Sequence, residues 1–261
     1  MTDKLLLDRV GAVTTITFNR PALRNAVDAE MMAALREAIV GCGEDETTRV
    51  IVLAGAGGAF CSGADLSIIA QVGATPDSAW RILSEFYHPA LRAIHASRWP
   101  IIAAVDGVAA GLGCDIALAC DIRLASARAQ FAELFIRVGL IPDGGGTWSL
   151  PRIIGLGRAL ELFYSGTSIP ADEARAIGMA NYIFPTEQFA TEVAAYAERL
   201  AAQAPLALTR IRQAVRAAQE STFAEALDRE ATLQREILLS EDGFEGFRAF
   251  LEKRKPSWKG R

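Results

Sequence analysis

Two turns built from small residues, together with two aspartates, hold the chemistry that this sequence offers. The first turn is Ala59-Phe60-Cys61-Ser62-Gly63-Ala64-Asp65. The second is Asp106-Gly107-Val108-Ala109-Ala110-Gly111-Leu112-Gly113-Cys114-Asp115. Each follows a continuous apolar run, at residues 50–54 and 101–105, and each leads towards a helix. Small residues let the main chain approach a ligand closely. A helix start adds unpaired N–H groups at the positive end of the dipole. Two such turns side by side aim two N–H donors at one oxygen, the arrangement that stabilises an enolate or a tetrahedral oxyanion. The same residues also suit two plain strand-to-helix turns, and composition alone does not separate these alternatives.

The aspartates are Asp143 and Asp115. Asp143 lies in Gly139-Leu140-Ile141-Pro142-Asp143-Gly144-Gly145-Gly146-Thr147-Trp148, an acid among apolar residues and glycines. Partial burial there raises its pKa and makes it a better base. The alternative is an N-cap for a helix beginning near Gly144. Asp115 has the same ambiguity between a local cap and a second active-site carboxylate.

Other chemistries fit poorly. Gly55-Ala56-Gly57-Gly58 follows a strand, but Phe60 stands where a dinucleotide fingerprint needs its third glycine, and no Gly-Lys-Ser/Thr follows. Ser62 is not in a nucleophile-elbow pattern. His88 and His95, the two histidines, fall in one short stretch, which argues against a Ser-His-Asp triad. Cys42, Cys61, Cys114 and Cys120 have no Cys-x-x-Cys spacing, so we expect reduced thiols and no metal site. The formal charge is −4, from 27 basic and 31 acidic residues, which leaves no broad footprint for nucleic acid. The longest apolar stretch, residues 99–105, is too short for a membrane span. The first ten residues carry Asp3 and Asp8 and do not read as a signal peptide. We expect a soluble, cytoplasmic protein.

The elements that must position these residues alternate between strand and helix. Leu5–Val10 and Val13–Phe18 read as a hairpin around Gly11-Ala12. Asp28 caps a helix with Met31, Leu35, Ala38 and Ile39 on one face. Residues 122–125 form a third buried strand, after a small helix at about 114–119. The pattern implies an α/β layered architecture. The last third is helical: Pro205 starts one helix, Phe223, Leu227, Leu233 and Ile237 stripe another, and Asp242 with Glu245 suggests a capping box before Phe244, Phe247, Phe250 and Leu251. These stripes suit either ordinary core helices or faces buried on another subunit. We divide the chain into a core, residues 1–195, and a helical region, residues 196–261.

Over nearly its whole length the sequence resembles the crotonase (enoyl-CoA hydratase/isomerase) superfamily. The matching segments are Asn19-Arg20-Pro21 with Asn25-Ala26, residues 59–66, 103–121 and 139–147, and Phe250-Leu251-Glu252-Lys253-Arg254. The resemblance implies a spiral of ββα units with a C-terminal helical region that forms trimers, often paired into hexamers. It implies acyl-CoA thioester substrates and no separate cofactor, coenzyme A being part of the substrate. The two oxyanion-hole N–H groups map onto Ser62 and Leu112. The coenzyme maps near Ala64, Asp65 and Leu66, with Arg24 towards its phosphates. Phe250 and Lys253 map to positions that reach a neighbouring subunit's CoA.

The hydratases of the superfamily carry two glutamates that position and activate water. The first maps onto Asp115 and the second onto Phe135, which takes no proton. The segment around Asp143, with Phe86-Tyr87-His88-Pro89, instead resembles the branch of the phenylacetate-pathway isomerase of ring-1,2-epoxyphenylacetyl-CoA. There the aspartate at position 143 is the acid/base. We therefore expect isomerisation of an unsaturated acyl-CoA with Asp143 as proton shuttle. Hydration of a 2-enoyl-CoA is the second expectation, and a CoA- or RNA-binding scaffold the third. Trp80, Phe86, Phe135 and Trp148 are candidates for lining the acyl pocket, or for plain core.

Overall fold

The computed structural model describes residues 2–67 and 75–261. β1 (Leu5–Val10) and β2 (Val13–Phe18) form the expected antiparallel hairpin, turning at Gly11 with φ +59°. β3 (Val50–Gly55), β4 (Ile101–Val105), β6 (Ile122–Ser126) and β9 (Tyr182–Phe184) add to β2 in parallel, giving the order β1-β2-β3-β4-β6-β9. The central strands are buried on both faces, which is why they read as unbroken apolar runs. Ile51, Leu53, Ile101, Ala103 and Val105 belong to the main core with Met31, Met32, Leu35 and Ile39 of α1 (Ala29–Glu44). Val50, Val52, Ile102, Ala104 and Leu124 meet Phe189, Val193, Ala197 and Ala201 of α8 (Phe189–Ala201) on the other face. Asp28 caps α1 as expected, accepting from Met31 N at 2.8 Å.

A second sheet has the order β5 (Val108–Ala110), β7 (Gln130–Ala132), β8 (Ser168–Pro170). The chain repeats one unit: a strand in the large sheet, a strand in the small sheet, then a helix. β4 leads to β5 and then α4 (Leu112–Ala119). β6 leads to β7 and, beyond a 3-10 turn over Phe135–Val138, to α5 (Gly146–Ile154). After β3 the second strand shrinks to one residue, Cys61, which bridges Ala109 in parallel. α2 (Pro76–Ile82) leads into a π-type turn over Leu83–Tyr87, which with α3 (His88–Ala96) closes over α1; α6 (Leu156–Ser165) packs on α5 and the Phe135–Val138 turn, and α7 (Ala171–Ala176) packs on β7 and β8 of the small sheet and on β9.

α9 (Pro205–Ala218), α10 (Phe223–Leu238) and α11 (Glu241–Leu251) complete the chain. Pro205 is in the first turn of α9, as expected. The cap of α11 differs from expectation: Ser240 accepts from Gly243 N at 3.0 Å. Asp242 instead accepts from Lys259 N and Gly260 N, tying the C-terminus back, and Glu245 pairs with Arg254. The expected boundary at residue 195 falls inside α8, whose buried residues on both sides of it share one sheet face. Among the described residues no helix is long and apolar enough to cross a membrane. All four cysteines are buried, free thiols, and burial pushes Cys61 and Cys120 up to about 12.

Candidate active site

The bridge between Cys61 and Ala109 determines where two amides meet. Cys61 N donates to Val108 O at 3.0 Å, and Ala110 N donates to Cys61 O at 2.9 Å. The two segments leave the small sheet side by side and turn at Gly63 (φ +108°) and Gly111 (φ +52°). A Cβ on Gly63 would stand 2.9 Å from Ala110 O and 3.6 Å from Leu112 N, so a side chain there would push the turns apart. Leu112 opens α4, so its N–H has no acceptor within the helix. Ala64 is left open by a different device. Val27 N donates to Gly63 O, and Asp65 N donates to Val27 O, both at 2.9 Å. That bridge uses the peptide groups flanking Ala64 and turns its own N–H the other way. Among the described residues neither the Ala64 nor the Leu112 amide has an acceptor, and both residues line a cleft of about 620 Å³.

Ser62 was the expected partner of Leu112, and here the structure differs. Its N–H donates to Arg24 O at 3.0 Å and its hydroxyl to Leu23 O at 3.1 Å. The free amide beside Leu112 is that of Ala64, two residues further on. Arg24 and Asn25 adopt positive φ of 48° and 58° to present that carbonyl. The buried Asn25 amide holds the strained turn, donating to Ala56 O at 2.9 Å and Ala59 O at 2.7 Å. Asp65 fixes the far end of the loop. Ser67 Oγ (2.6 Å) and Arg20 (2.8 Å) bind its carboxylate and hold it below the usual range.

Asp143 faces the same cleft from the loop before α5. It is not a helix cap, since Gly145 precedes α5 and no side chain caps it. Burial raises the Asp143 carboxyl above its ordinary value, and His88 partly opposes the shift. His88 Nε2 lies 3.0 Å from the Asp143 carbonyl oxygen, which can only accept, so the ring donates from Nε2. The other carboxylates of the cleft wall are engaged: Asp28 and Glu30 pair with Lys4, and Asp65 with Arg20. Among the described residues Asp143 forms no ion pair.

The remaining candidates are spread out. Asp115 is 1% exposed and lies behind the cleft wall, where its Oδ2 accepts from Gly144 N at 2.9 Å. It does not face Asp143 across the cleft. Phe135 does line the cleft, 3.9 Å from where a Cβ on Gly111 would stand. Leu66 is half-exposed at the cleft edge and Arg24 is exposed nearby. Phe250 and Lys253 are exposed on the C-terminal region and do not line the cleft of their own chain. Of the other aromatic candidates, Trp80 is exposed, Phe86 packs on the core, and Trp148 meets His95 edge-on beneath Arg152. Sequence reasoning gave no role to three residues, although Tyr87 and His88 stand in a segment it singled out. Tyr87 lines the cleft and donates to Val27 O at 3.2 Å, and His88 holds Asp143. Glu133 is buried just beyond the end of β7, and no local signal in the sequence marks it.

Strand–strand–helix units that deliver two free amides and an unpaired carboxylate to one cleft define an acyl-transfer or enolate-type enzyme fold. Residues 8–261 match the family described as enoyl-CoA hydratase/isomerase. The chain is 39% identical to the 1,2-epoxyphenylacetyl-CoA isomerase of Escherichia coli over 251 residues, 95% of each chain. It is also 39% identical to a probable enoyl-CoA hydratase of Rhodobacter capsulatus over 249 residues, again 95% of each. The crystal structure of enoyl-CoA hydratase from Bacillus anthracis superposes with a TM-score of 0.95 at 31% identity, covering 99% of this chain and 100% of that one. The protein belongs to the enoyl-CoA hydratase/isomerase family and has the crotonase fold. It is an acyl-CoA enzyme, a hydratase or an isomerase.

Proposed function

We propose that the protein isomerises an unsaturated or ring-modified acyl-CoA by moving one proton through Asp143. The thioester oxygen accepts from the Ala64 and Leu112 amides. Asp143 removes a proton from C2 of a 3-enoyl thioester, the two amides hold the dienolate oxygen, and the same carboxyl returns the proton at C4. One carboxyl suffices, because a 1,3-shift consumes no water. The amides act where negative charge develops, in a cleft whose apolar wall strengthens them. The observation that carries this reading is Asp143, a raised, half-buried carboxyl that forms no ion pair among the described residues and lines the same cleft as the two open amides.

Hydration is the second reading, favoured by the likeness to the Rhodobacter capsulatus protein. Against it stand Phe135 at the place of one glutamate and Asp115 behind the wall. Arg24, Ala64, Asp65 and Leu66 are the residues we assign to coenzyme A. Phe250 and Lys253 would serve a neighbouring chain, through trimers built on α9–α11. The test is ultraviolet absorbance. A 3-enoyl-CoA gains enone absorbance on isomerisation, whereas crotonyl-CoA loses it on hydration; loss without gain would select the hydratase.

A further inference from the structure

Two carboxylates behind the cleft have no part in that chemistry. Asp115, in the first turn of α4, and Glu133, just after β7, are each 1% exposed. Asp115 Oδ2 holds Gly144 N, but Asp115 Oδ1 and both Glu133 oxygens have no hydrogen-bond partner among the described residues. The two acids converge under the turn of residues 144–146. A Cβ on Gly146 would collide with Asp115 Oδ1 and stand 3.5 Å from Glu133 Oε1, and one on Gly144 would stand 2.6 Å from Asp115 Oδ2. Only glycine allows the loop that carries Asp143 to lie on this pair.

Two ionised carboxylates cannot share a buried site without a cation. The titratable groups that face them are Cys114 on α4, a thiol pushed up by burial, and Asp143 on the loop, a third acid. His88 acts on Asp143 from α3. Burial and mutual repulsion raise Asp115 well above its ordinary value, and burial raises Glu133.

We propose that Asp115 and Glu133 hold at least one proton between them at neutral pH and act as positioning residues for Asp143. The shared proton lets Asp115 grip the Gly144 amide, and so fixes the peptide that follows Asp143, while holding the pair behind it to at most one negative charge. The inference rests on Asp143 being the proton carrier, and its test separates the two claims.

Infrared spectra of the whole protein read the proton directly. The expected result is a buried carboxylic-acid carbonyl band at neutral pH that persists in Asp143→Asn and disappears in the double variant Asp115→Asn with Glu133→Gln or on raising the pH of the unaltered protein. Kinetics read the positioning. Glu133→Leu lowers kcat by about 10²-fold, the scale for a misplaced catalytic group, with KM little changed. Glu133→Gln, which offers Asp115 an amide donor in place of a second acid, restores kcat and lessens any alkaline decline caused by ionisation of the pair. Absence of the band in Asp143→Asn at neutral pH, or a folded Glu133→Leu protein with unaltered kcat, overturns the proposal. Full turnover by Asp143→Asn overturns the shuttle and with it the positioning role, whatever the band shows.

Discussion

His88 Nε2 stands 3.0 Å from the carbonyl oxygen of Asp143, so α3 grips the main chain of the residue whose side chain faces the cleft. Among the described residues the carboxyl itself forms no ion pair. Asp143→Asn is expected to lower isomerase kcat by about 10²–10⁴-fold, the usual worth of a positioned acid/base group. Binding of a CoA thioester, read by calorimetry, is expected to survive. Asp115→Asn keeps an acceptor for Gly144 N and is expected to cost less. The reverse ranking would point to hydration.

The pH profile follows from the direction of the Asp143 shift. Its base form is the carboxylate, so kcat/KM is expected to fall as pH drops through a midpoint above the ordinary carboxylate range of about 4. A midpoint at or below that range would disconnect the limb from Asp143.

Stability is linked to the buried acids with the opposite sense. Asp115 and Glu133 have folded pKa values raised above their unfolded values. Their contribution is complete below the unfolded pKa and is lost as pH rises through the folded one. Melting temperature is therefore expected to decline on the alkaline side of about pH 4, and less so in Glu133→Gln. Thermal melts of both proteins across that range check the sign.

Gly63 separates the oxyanion-hole assignment from mere loop packing. A Cβ there presses on Ala110 O at 2.9 Å and meets a positive φ. Gly63→Ala is expected to spread the two amides and lower kcat by about 10²-fold, comparable to removing one oxyanion donor. Ser62→Ala, which leaves its engaged N–H intact, is expected to change kcat far less. Steady-state kinetics of the two variants decide between Ala64 and Ser62 as the second donor.

The C-terminal helices carry Phe223, Phe244 and Phe250 at 80%, 69% and 83% exposure in the single chain. Apolar faces of this extent are expected to be covered by further copies, as a trimer or hexamer. Light scattering should report one of these masses, and Phe244→Asp with Phe250→Asp should shift it towards the monomer. A monomeric unaltered protein at micromolar concentration would remove the role assigned to these helices.

Much of this was legible in the residues alone, wherever the cause is local. Asp28 caps α1 because its carboxylate needs only an amide three residues on. The two small-residue turns announced backbone close approach, and Gly63 and Gly111 supply it. Local signals also misled: Asp242 and Glu245 have capping-box spacing, yet Ser240 caps the helix and the C-terminus claims Asp242. Trp80 and Trp148 are apolar in type but lie outside the cleft, since nothing local fixes which way their helices face.

From the sequence alone follow the family, the alternation of strands and helices, the loop that carries Asp143, and Phe135 where a second acid is absent. These depend on residue type and on neighbours a few positions away. Which amide remains open, and which carboxylate sees the cleft, were settled by pairings between distant segments. Val27 with Ala64 frees one N–H, Arg24 occupies another, and Gly144 keeps Asp115 behind the wall. A main-chain donor or a buried acid is defined by whatever segment it meets, and only folding brings those segments together.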